Sequence, residues 1–130
     1  MTEETVKVLY NVSYGGFALS DETIKLYNER STELKIVSRY EEVSRTDPIL
    51  VQIYEEIGYK KFGLGRGASI DIKEIPKKYE NYYKINEYDG KEEVSIDYNA
   101  YKVGASMKII NDTEKTAEEK IAELAAILNQ

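Results

Sequence analysis

The sequence contains no cysteine, no histidine and no tryptophan. Without thiols there are no disulfide frameworks, no thiolate nucleophiles and no zinc fingers. Without imidazole, Ser-His-Asp and Cys-His nucleophile sets are excluded, and the commonest general base and metal ligand is gone. Any catalysis therefore rests on carboxylates, lysine, tyrosine or a hard metal held by carboxylates. Two prolines and eight glycines among 130 residues are too few for a disordered chain. No run approaches the ~20 apolar residues of a membrane span, and the start, "MTEETVKV", lacks the basic and apolar character of a targeting segment. The expectation is a folded cytoplasmic protein.

Positive charge is also short. Eighteen Lys and Arg against 24 Asp and Glu give a formal charge of -6, the wrong sign for gripping a long nucleic acid. A small anionic ligand needs only a few local donors and stays open. What the chain has in excess is tyrosine, with twelve copies beside two phenylalanines. Tyrosine suits half-buried strands, protein interfaces and stacking on planar ligands. The length fits one domain, spanning residues 1–130, with a real if modest core.

"VKVLYNVS", residues 6–13, reads as a first strand from its alternation and β-branching. Ser20 then offers an N-cap ahead of acidic Asp21 and Glu22, predicting a helix from about Asp21 to Arg30. In "RTDPILVQIYEEIG", Asp47 is a cap, Pro48 fits the first helical position, Ile49, Leu50, Ile53 and Ile57 recur at helical spacing, and Gly58 is a stop. "SIDIKEIP" predicts a strand ended by Pro76, and Asp89-Gly90 predicts a hairpin turn between strands at about 82–88 and 91–98. "AYKVGASMKII" suggests one more strand, with Gly104 as a bulge. The tail predicts a helix beginning near Asp112, with Ala117, Ile121, Leu124, Ala125 and Leu128 as an apolar stripe. The fold class expected is α+β: a small antiparallel or mixed sheet covered by two or three helices, with a C-terminal amphipathic helix.

The stretches "YNVSYGGFALSDETIKLY", "RTDPILVQIYEEIG", "GRGASIDIKEIP" and "YKINEYDGKEEV" occur in that order. Together they resemble a family of small proteins of bacteriophages and large DNA viruses. Those proteins share a YGGF-G-LS-like element, an R-x-DP-x-LV helix start, an EIP strand end and an EYDG hairpin. The resemblance spans roughly residues 6–96, with Ala18 where the family pattern has glycine. It implies a viral or prophage setting, hence host cytoplasm, and no mechanism.

Gly15-Gly16 precedes a helix start, Arg45 precedes another, and Arg66 sits in the glycine-rich "GLGRGAS". Helix N-termini carry unpaired N–H groups and favour anions. If the three elements converge, the backbone of Gly15 and Gly16 and the side chains of Arg45 and Arg66 hold phosphate, while Tyr14, Phe17 or Phe62 stacks on a base. The alternatives are a tight turn at Gly15-Gly16, a surface ion pair for Arg45 and a plain loop for "GLGRGAS". No Walker or dinucleotide fingerprint is present. Asp71 and Asp97 are candidate metal ligands or an acid–base pair, or else solvated strand positions. The tyrosines of "KKYENYY" suit a stacking platform, a sheet-edge cover or a subunit interface.

Three function classes follow. The first is non-catalytic binding of a small phosphate-bearing ligand, such as a phage sponge for a host immune nucleotide, with no cofactor. The second is a module that masks a host or viral protein. The third is a small carboxylate–metal phosphodiesterase. The C-terminal stripe is expected to pack on the same sheet or on the same helix of another subunit, the latter making a homo-oligomer.

Overall fold

The computed structural model describes residues 4–65 and 69–129. In chain order the elements are β1 (Thr5–Asn11), α1 (Asp21–Arg30), α2 (Pro48–Ile57), the single turn α3 (Tyr59–Phe62) and β2 (Ile70–Pro76). A 3-10 turn (Lys77–Tyr79), β3 (Tyr83–Tyr88), β4 (Lys91–Ile96), α4 (Tyr98–Ile110) and α5 (Ala117–Leu128) follow. The class is α+β, with two antiparallel two-stranded sheets, β1–β2 and β3–β4, and five helices among the described residues.

The β1–β2 sheet is the middle layer, because alternation sends its side chains to two different cores. Leu9 and Ile70 pack with Tyr27, Leu50, Ile53 and Phe62 on the helical side. Val8 and Ile75 pack with Tyr79 and Val94 on the hairpin side. The register, Thr5 opposite Pro76 through Asn11 opposite Ile70, sets both faces at once, and a one-residue slip would exchange them.

The helix starts are as the sequence predicts. The Ser20 Oγ accepts from the Thr23 N–H (3.1 Å), and Asp47 Oδ1 accepts from the Ile49 N–H (2.8 Å). In the β3–β4 turn both Asp89 and Gly90 have positive φ (51° and 89°), the backbone that Asp-Gly favours in a two-residue hairpin. The C-terminal helix begins five residues later than expected from Asp112, at Ala117, where Thr116 and Glu119 form a capping box.

One expected strand is a helix. "AYKVGASMKII" lies inside α4, started by Asp97, whose Oδ1 accepts from the Ala100 N–H at 3.0 Å. Gly104 is not a bulge: a Cβ there would stand 2.3 Å from the Tyr82 hydroxyl, so its bareness admits the Tyr82 ring against the helix. The alternation of Tyr101 and Val103 imitates a strand, and the cap outweighs it.

Candidate functional site

The segment from Asn11 to Phe17 leaves β1, turns through Ser13–Gly16 and reaches Arg45 from one side. Gly16 has φ +86°. What approaches this turn is the chain's own hairpin: a Cβ on Gly90 would lie 2.2 Å from the Tyr14 carbonyl oxygen and 2.5 Å from the Gly16 nitrogen. Asn11, fully buried, joins the two turns. Its Nδ2 donates to the carbonyls of Ser13 and Gly90 (both 2.8 Å), and its Oδ1 accepts from the Ser69 N–H (2.9 Å).

Arg45 and Glu92 complete the outer edge of β1. The Leu9 N–H donates to the Arg45 carbonyl (2.8 Å) and the Asn11 N–H donates to Glu92 Oε1 (2.8 Å), so a loop backbone and a carboxylate replace a neighbouring strand. The guanidinium fixes that carboxylate with two parallel hydrogen bonds, 2.6 and 2.9 Å. It also lies 3.7 Å from the Phe17 ring centroid, a desolvated cation–π contact. The side chains of Arg45 and Glu92 are only 18% and 7% exposed.

Of the residues expected to hold phosphate or to stack on a base, Tyr14, Gly15, Gly16, Phe17 and Arg45 therefore gather in one region, with the arginine engaged by Glu92. Arg66 lies outside the described residues. Phe62 is fully buried, edge-on to Tyr54 at 5.3 Å, and has no face for a base. The N-termini of α1 and α2 are filled by Ser20 and Asp47, and α1 adds Asp21 and Glu22 in its first turn. A concavity of about 560 Å³ beside Tyr14 carries Glu87 and Glu93 against Lys91, with Glu92 neutralised by Arg45, a lining that does not favour anions. Of the acid–base candidates, Asp97 is the α4 cap and pairs with Lys84 at 3.2 Å. That backbone hydrogen bond, with the lysine, holds its carboxyl below the ordinary aspartate range. Among the described residues no group of three or more Asp or Glu is placed to hold a metal ion.

Basic and aromatic groups meet elsewhere. The connection from β2 to β3, which contains "KKYENYY", folds onto α4 through tyrosines in edge-to-face contact. Tyr79 meets Tyr101 at 4.8 Å and Tyr98 at 5.3 Å, and Tyr82 meets Tyr101 at 5.6 Å. Beside this cluster lies a groove of about 700 Å³, lined by Tyr82, Tyr101, Lys77, Lys78, Lys108 and Ile127 of α5. The Lys78 ammonium stands 5.1 Å from the Tyr79 centroid. Glu4, 3.7 Å from Lys77, and Glu80 also line it. Three ammonium groups against two carboxylates make it the more positive of the two concavities.

Sequence reading singled out the tyrosines and missed Lys108, because it treats "AYKVGASMKII" as a strand and so separates it from Lys77 and Lys78. A helical reading from the Asp97 cap was the available signal. No helix among the described residues is long and apolar enough to cross a membrane. Comparison with protein-family models, with curated proteins and with solved structures finds no match to this chain.

Proposed function

We propose that the protein binds a small phosphate-bearing, nucleotide-like ligand without turning it over, in the groove between the β2–β3 connection and α4. The observation that carries this reading is the convergence of Lys77, Lys78 and Lys108 around Tyr82 and Tyr101. Lysine ammonium groups bind phosphate as mobile point charges, and tyrosine rings offer stacking faces for a base. The volume lies within the ~300–1,000 Å³ of small-molecule sites. Set beside the motif resemblance to small phage and large-DNA-virus proteins, such binding serves to sequester a host immune nucleotide in the host cytoplasm.

The test is thermal stability with a panel of linear and cyclic nucleotides, followed by recovery of the compound after denaturation. A ligand that binds only the folded state raises the melting temperature by mass action, and it should be recovered intact. Lys77→Glu with Lys108→Glu, both exposed positions, should remove the shift and leave the unliganded melting temperature close to the parent. Converted ligand would replace binding with a phosphodiesterase activity; the absence of a shift with every nucleotide would overturn the reading.

A second reading is favoured by the acidic concavity. Tyr14 and Tyr88, 63% and 80% exposed, stand beside Glu87 and Glu93. Aromatic rings with carboxylates fit a basic protein partner, which would bind in the absence of any nucleotide.

A further inference from the structure

We propose that the α4–α5 hairpin is the contact surface for a second copy of this chain. On α5, Ala117, Ile121, Leu124 and Leu128 recur at alternating four- and three-residue spacing, the seam of a helix that packs along another helix. The residue α5 buries is Ile127, whereas Ile121 and Leu128 remain 66% and 69% exposed. On α4, Val103, Met107 and Ile110 follow the same spacing and are also exposed, and α4 buries none of its residues. Two helices of 13 and 12 residues thus each keep exposed apolar positions, Val103, Met107 and Ile110 on α4 and Ile121 and Leu128 on α5, with Leu124 half-buried between the latter two.

Charge selects the occupant. α4 carries Lys102 and Lys108 and no acid, while α5 carries Glu118 and Glu119 against Lys120, its Glu123 being paired with Lys115. Pairing α5 with α5 would set like charges side by side. Pairing α4 of one copy with α5 of the other opposes positive to negative, and a two-fold axis makes that contact twice. The near-equal helix lengths let two hairpins meet along their full extent as a four-helix assembly.

Sedimentation equilibrium at about 0.1 mM, where even weak specific interfaces associate, tests this. The parent chain should be a dimer, and Met107→Glu and Ile121→Glu should each give a monomer with an unchanged far-UV spectrum. A monomeric parent, a dimer that survives both substitutions, or one that depends on a single helix would overturn the proposal. A second measurement needs no disruptive variant. The sequence has no cysteine, so a nitroxide on Ile121→Cys, mixed with isotope-labelled parent chain, should broaden resonances of residues 103–110 in the labelled copy. Absence of broadening would also overturn it.

Discussion

Arg45 illustrates how a single residue's role follows from its partners. As a phosphate ligand it would be dispensable for folding. Held between Glu92, Phe17 and the Leu9 carbonyl (3.4 Å), it neutralises a carboxylate that is itself shielded from water. Arg45→Ala leaves that charge unpaired, which costs about 3–5 kcal/mol in buried pairs. Urea denaturation should show the midpoint falling accordingly, with the binding proposed for the lysine groove retained by the folded fraction. A midpoint unchanged from the parent would mean that the pair is not closed in solution. The sequence displays Arg45 next to a helix cap but gives no sign of Glu92, because the partner is chosen by how the hairpin docks at a separation of 47 positions. Gly16 is legible as a turn for the opposite reason: its positive φ is a local demand.

At the scale of elements, caps decided more than periodicity. Asp47-Pro48 and Ser20 mark α2 and α1 correctly because cap and apolar spacing agree. Alternation ended by Pro76 places β2, and Asp89-Gly90 between alternating runs places the hairpin. In α4 the two signals conflict, and the Asp97 hydrogen bond to Ala100 outweighs the alternating side chains. Asp97→Ala should therefore lower the melting temperature by a few degrees and reduce helical ellipticity, while Asp97→Asn, which keeps a capping oxygen, should recover most of the loss. An equal loss in both variants would assign the effect to the Lys84 pair instead. The packing of helices on one face of β1–β2 and of the hairpin on the other was not legible: Val8 and Leu9 are both apolar, and only the register reveals that they enter different cores.

For the molecule as a whole, the missing histidine shapes the pH response. Tyr10, Tyr27, Tyr54 and Tyr83 have their phenol pKa raised, chiefly by burial. Their contribution to stability is present below the ordinary value of about 10 and is lost as pH rises through the higher folded-state values. Asp97 works in the other sense: its lowered pKa contributes stability above about pH 3.9, lost as pH falls through the folded value. Between these limits no imidazole titrates. Urea midpoints should form a plateau from about pH 6 to 9, falling on both sides, and a pronounced slope near pH 6.5 would contradict this account. The clasp between the Gly16 and Gly90 turns has a consequence in time. The β3–β4 hairpin forms from neighbouring residues, but the hydrogen bond from Asn11 to Gly90 closes across 79 positions, an entropically late event. Contacts made after the barrier leave the folding rate alone and are felt in escape from the native state. If the clasp closes after the barrier, the two glycine turns set how long the folded molecule lasts between openings and not how soon it is reached.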